Sequence, residues 1–197
     1  MMDAVAEAVV AAQLGRAPRG LRAVAHTCPC GRPDVVETAP RLPDGTPFPT
    51  LYYLTCPRAA AAVSRLEAAG TMRDMSARLA GDEELRAAYT RAHQDYLARR
   101  DTAARDAGVE PLPPGTQSAG GMPERVKCLH ALVAHELAVP GGNPFGREAA
   151  AAAGQWWAEG PCVPLPATAR ADAAHEEAGR TEAPSAEAPP HGNEGDT

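Results

Sequence analysis

Apolar positions along this chain follow two different periods, and the switch between them outlines the fold. From Asp3 to Leu14, Val5, Val9, Val10 and Leu14 punctuate an alanine-rich run at the spacing of a short amphipathic helix. Gly15 stops that helix and Pro18 confirms the stop. The period then shortens. Leu21 to Thr27 reads as a strand, Cys28-Pro29-Cys30-Gly31-Arg32-Pro33 as a turn, and Asp34 to Thr38, with Val35 and Val36, as the returning strand. Pro40 to Pro49 is a Pro/Gly loop with a turn at Pro43-Asp44-Gly45. Thr50 to Thr55 holds Leu51, Tyr52, Tyr53 and Leu54, residues that suit a pleated, half-buried surface. Tyr52 and Tyr53 are expected on opposite faces of that strand.

From Cys56 onward the period is helical. Pro57 suits a first helical position, which places Cys56 at or near the N-cap. Val63, Leu66 and Ala69 give the apolar face, and Gly70 closes the helix. A short helix follows from about Thr71 to Ala80. Asp82 caps a longer one with Leu85, Tyr89, His93, Tyr96 and Leu97 on one stripe, so His93 reads as a packed residue. Val109 to Gly121 is a Pro/Gly/Ser loop long enough for a lid or a connector. Pro123 is expected to start a helix through Ala138, which Pro140 to Pro144 breaks. A last helix is expected over Arg147 to Trp157, with Trp156 and Trp157 packing it onto the body. The pattern predicts an α+β fold: a small antiparallel sheet near the N-terminus packed against a mainly helical middle and C-terminal part. Residues 1–160 are expected to form one domain. Residues 161–197 are rich in Pro, Ala and Glu and are expected to be a disordered acidic tail.

Composition sharpens this outline. Only 4% of the 197 residues are aromatic, so the core must be mostly Leu, Val and Ala. The formal charge is −6, yet the segment from Ala167 onward carries seven acids and two arginines, a net of −5. The body is therefore near neutral, which argues against a nucleic-acid surface. No stretch approaches the roughly 18–20 apolar residues that span a bilayer. Met1 to Arg16 has acids at Asp3 and Glu7 and does not read as a signal peptide. The expected location is the cytoplasm, where five cysteines stay reduced and serve as ligands or catalysts more readily than as disulfides.

Cysteine, histidine and lysine supply the candidate chemistry. Cys28, Cys30, Cys56 and Cys128 number what tetrahedral zinc requires, with His26 able to replace one of them. Their spacing departs from the paired Cys-x-x-Cys knuckles of zinc ribbons, so buried packing is the alternative reading. If 123–138 is one helix, Val126, Leu129, Val133 and Leu137 share its apolar face. His130 then lies about 160° from Cys128, and His135 roughly 10 Å along the axis from Cys128. Such a helix offers one metal a single ligand, Cys128. Lys127 is the one lysine against eighteen arginines, a background in which a retained lysine invites a functional reading. With Arg125 and His130 it forms a cationic group able to hold phosphate or carboxylate, or else a solvated face. Cys56 is the best thiolate candidate, since a helix N-terminus and Arg58 both lower a thiol pKa. The set Cys56, His130 and Lys127 is therefore the catalytic candidate, and Arg125, Lys127 and Arg58 the anion-binding one. Cys162 stands apart near the tail.

Three motifs carry a resemblance: His26-Thr27-Cys28-Pro29-Cys30-Gly31, Thr46-Pro47-Phe48-Pro49-Thr50-Leu51-Tyr52-Tyr53-Leu54-Thr55-Cys56-Pro57, and Gly121-Met122-Pro123-Glu124-Arg125-Val126-Lys127-Cys128-Leu129-His130. With Ala134-His135 and Asn143-Pro144, they resemble the bacterial family called "domain of unknown function 501" over roughly Val9 to Trp157. The resemblance implies an actinobacterial or similar cytosolic protein and carries no assigned activity, cofactor or catalytic residue. Three functions stay open. The first is a zinc-binding or thiol-dependent protein with a Cys/His/Lys site for an anionic small molecule. The second is a non-enzymatic adaptor with a structural zinc site and a protein partner. The third is a plain α+β domain with buried cysteines.

Overall fold

In the computed structural model, residues 3–166 are described. The short-period segments pair as expected. Strands β1 (Leu21–Thr27), β2 (Pro33–Thr38) and β3 (Tyr52–Leu54) form one antiparallel sheet in the order β1-β2-β3. The β1–β2 turn closes through Cys28 N–H to the Arg32 carbonyl at 2.8 Å and Gly31 N–H to the Cys28 carbonyl at 2.8 Å. Gly31 has φ of 76°, a left-handed conformation that favours glycine there. Register pairs Val35 with Leu54, Val36 with Tyr53 and Leu21 with Thr38. Because strand side chains alternate, Val35, Glu37, Tyr52 and Leu54 lie on one face and Leu21, Val36, Thr38 and Tyr53 on the other. Tyr52 is buried and Tyr53 is 38% exposed, the split expected from the pattern.

Helix α1 (Ala4–Leu14) packs against β2. Asp3 caps its start by accepting from Val5 N–H, and Gly15 at φ 67° ends it. The remaining helices are α2 (Pro57–Ala68), α3 (Thr71–Gly81), α4 (Glu83–Asp106), α5 (Leu129–Ala138) and α6 (Pro144–Ala153). Helix α5 packs against β3 and against α6. The main core gathers Val35 and Leu54 of the sheet with Tyr89, Tyr96, Leu129, Leu132, Val133 and Phe145. Tyr96 ties helix to sheet edge, since its hydroxyl accepts from Leu51 N–H at 2.6 Å. Gly146 lets α6 touch α5, because a Cβ there would meet the Leu132 carbonyl oxygen at 2.1 Å.

Two elements differ from the sequence pattern. The helix expected from Pro123 begins instead at Leu129, with Cys128 as N-cap. Backbone groups of residues 126–128 are taken elsewhere: Val126 N–H donates to Ser76 Oγ at 3.2 Å and Lys127 N–H to the Gly120 carbonyl at 2.7 Å. Tertiary partners thus override local helix propensity. The last helix is Pro144–Ala153, started by Asn143 accepting from Gly146 N–H and ended by Gly154, so both tryptophans lie beyond it. Trp156 still packs against the core. Residues up to Pro164 make one compact unit, and only residues 165 and 166 of the following unit are described. The expected acidic tail lies outside the described residues from 167 onward. No helix among the described residues is long and apolar enough to cross a membrane.

Candidate functional site

The site begins with a helical stripe. Ala60, Ser64 and Glu67 stand at i, i+4 and i+7 on α2, so they share one face. That face receives the N-terminus of α5. Cys128 occupies the N-cap in extended conformation and makes no side-chain cap bond. Glu67 caps from the neighbouring helix instead: its Oε1 accepts from Leu129 N–H at 2.7 Å. The same oxygen faces His130 Nδ1 at 3.1 Å. On the other side of the ring, His130 Nε2 donates to the Ala60 carbonyl at 3.1 Å and lies 3.2 Å from Ser64 Oγ. A carbonyl only accepts, so this contact fixes a proton on Nε2 and leaves Nδ1 facing Glu67.

A glycine pair holds the approach to Cys128. Gly120 and Gly121 have φ of 62° and 92°, and a Cβ on either would collide with neighbours. The Gly121 position is closed by the Arg125 carbonyl at 2.6 Å and Lys127 Cβ at 2.9 Å. Only glycine brings this turn against the Lys127-Cys128 backbone, which bonds the Gly120 carbonyl.

The result is a three-residue cluster. One ligand atom each from Glu67, Cys128 and His130 lies within 4.8 Å of the other two, and all three residues are half-buried. Carboxylate, thiolate and imidazole are all metal-ligating groups, so the trio can hold a metal ion. Without a metal, the electrostatics are those of an ion pair. His130 is raised to about 9, chiefly through its Cys128 partner, with Glu67 adding to the effect. The Cys128 thiol is lowered, chiefly by His130, against the opposing effect of burial. Nδ1–H then donates to Glu67, and the proton sits where a metal would bind.

This geometry does not gather the four-cysteine set. Among the described residues, Cys28, Cys30, Cys56 and Cys128 form no group with ligand atoms inside that distance, and all five cysteines are free. Cys28 and Cys30 face each other in the β1–β2 turn, where burial pushes Cys28 up to about 12. Cys56 is fully buried at the α2 N-cap. Its expected lowered pKa is reversed: burial pushes it up to about 11, and its thiol neighbour is Cys162. Desolvation of a thiolate outweighs the helix N-terminus here. The helical-wheel argument fails with its premise, because Cys128 precedes α5 and its thiol can face His130. Lys127 likewise is not on a helix. It is exposed and its ammonium has no partner among the described residues. Arg125 is exposed and lines a pocket of about 360 Å³ with His93 and Gln117. Arg58 is committed to the Gly160 carbonyl at 2.8 Å. His93 contacts Ser118 Oγ at 2.8 Å. His26 pairs with the buried Asp34 at 2.6 Å. His135 is fully buried, 6.0 Å from Tyr52 and 5.2 Å from Tyr96 by ring centroids.

Sequence reasoning missed Glu67 and Ser64. Their signal was the polar pair Ser64 and Glu67, three residues apart on one face of α2, unreadable as a site until α5 is known to end on it.

The family model for "Protein of unknown function (DUF501)" matches residues 24–151, a span that contains Glu67, Lys127, Cys128 and His130. No curated protein and no solved structure matches the chain.

Proposed function

The chain belongs to the family of proteins of unknown function DUF501, and on that premise we propose that its site is a zinc centre that binds and polarises an anionic small molecule. The observation that carries the reading is the convergence of Glu67, Cys128 and His130 on one point. A mixed oxygen, sulfur and nitrogen set suits zinc better than harder or softer ions. Three protein ligands leave a fourth position for water or substrate, the pattern of catalytic zinc. The Ala60 carbonyl supplies the outer contact that orients a ligating imidazole and fixes its tautomer. Exposed Lys127, adjacent to Cys128, supplies positive charge for the anion. A reduced, cytoplasmic setting keeps Cys128 available as a ligand.

Metal analysis of the purified protein tests this. About one zinc per chain is expected, falling below one tenth in Cys128→Ser and His130→Ala and persisting in Cys28→Ser and Cys56→Ser. Zinc that persists without Cys128, or follows Cys56, overturns it. A second reading rests on the placement of Cys128 at a helix N-terminus beside His130: a metal-free thiolate nucleophile held as an ion pair with the His130 imidazolium. Absence of metal together with rapid modification of Cys128 alone selects that reading.

A further inference from the structure

The sheet has a second face, and α1 covers only part of it. Helix α1 ends at Leu14, short of the edge where Leu21 pairs with Thr38 and Val36 with Tyr53. The 39–49 loop folds over this remaining area without filling it. Leu42 and Phe48 come from that loop, and the space left is a pocket of about 380 Å³. Val36 forms its floor at 1% exposed, while Tyr53 stands at its side as the one large hydrophobic residue exposed among the described residues.

The lining is mostly apolar. Its cationic members are Arg16 and Arg19, and both are exposed. Neither makes an ion pair among the described residues; Arg16 reaches only the adjacent Ala17 carbonyl at 3.3 Å. Asp44, whose carboxylate feels Arg19, is held by Thr46 N–H at 2.9 Å. Thr38 Oγ is turned back to the Thr50 and Leu51 carbonyls, so it asks for no ligand. An apolar cavity lined by two exposed guanidinium groups that make no ion pair among the described residues suits an apolar molecule with an anionic end.

We propose that this pocket binds an amphipathic carboxylate, its apolar body against Val36, Leu21 and Phe48 and its carboxylate between Arg16 and Arg19. Size narrows the class. At about 30 Å³ per water, the pocket holds roughly a dozen waters, and so a ligand of about that many non-hydrogen atoms. A medium-chain acid or a substituted aromatic acid fits this count. The site is separate from the Glu67/Cys128/His130 cluster, which is built on α2 and on α5, the helix packed against the opposite face of the sheet.

Decanoate and 1-decanol are suitable probes, because they share an apolar chain and differ in charge. Calorimetric titration of the full chain is expected to show one saturable decanoate site, with decanol at least tenfold weaker. Arg16→Gln/Arg19→Gln is expected to weaken decanoate at least tenfold and leave decanol unchanged. Both arginines are exposed, so the double variant keeps its fold. Methyl NMR shifts on decanoate addition are expected at Leu14, Leu21 and Val36. No saturable binding, double-variant affinity within twofold of the native chain, or shifts centred on α5 would overturn the proposal.

Discussion

His135 makes stability fall as the solution is acidified. The ring is fully buried, and its Nδ1 accepts from Asn143 Nδ2 at 3.3 Å while Nε2 has no hydrogen-bond partner. Burial lowers its pKa from 6.5 to about 4; Asp95, 3.9 Å away, opposes the shift and Arg99 supports it. Above pH 6.5 both folded and unfolded chains leave the ring neutral. Between 6.5 and 4 only the unfolded chain takes up the proton, so stability drops with falling pH. Full loss corresponds to the gap between these values, about 3 kcal/mol at about 1.4 kcal/mol per pH unit, and about 2 kcal/mol of it is lost by pH 5. The assay is urea unfolding at pH 7.5 and pH 5 for the native chain and for His135→Gln, which retains an acceptor for Asn143 but cannot be protonated. Comparing the two removes the titration of other groups, such as the buried Asp34, which burial raises. The drop between the two pH values should be about 2 kcal/mol smaller in the variant. Equal drops in both proteins refute the reasoning.

Gly146→Ala should cost about 3 kcal/mol or abolish folding, since the new Cβ meets the Leu132 carbonyl; thermal unfolding measures it. Alkylation of the native, metal-free protein with mass mapping should label Cys128 well before Cys56, whose thiol is buried and raised. Arg100→Met should cost about 2–4 kcal/mol, because the buried guanidinium bonds the Pro49, Thr116 and Gln117 carbonyls. Hydrogen exchange in residues 113–118 should accelerate in the same variant, and unchanged exchange would show that the clamp does not hold this loop.

The fold was legible where local chemistry decides it. Val35-Val36, the Tyr52-Tyr53 pair and the cap at Asp82 each carry their own signal, and the structure agrees with all of them. The α5 start was not legible. Pro123 is a good helix opener by itself, but Ser76 and Gly120 take the backbone donors from 126 to 128, and nothing nearby in sequence announces that. The site was half legible for the same reason. Cys128 and His130 stand in a recognisable motif, whereas Glu67 is an ordinary helix acid until α5 lands on it. Cys56 misled because its helix position is visible in sequence and its burial is not.

The cap on α5 has a kinetic consequence. A ten-residue helix is marginal alone, and this one makes no side-chain cap bond at its own N-cap. Its first N–H is satisfied by Glu67, 62 residues earlier in the chain. Helix α5 should therefore settle late, after α2 is formed and docked. Removing that bond in Glu67→Ala should act mainly on the unfolding rate, and an equal slowing of refolding would place the contact in the folding nucleus instead. A cluster assembled in this way exists only once the chain has closed on itself, so its occupancy would report completed folding rather than guide it.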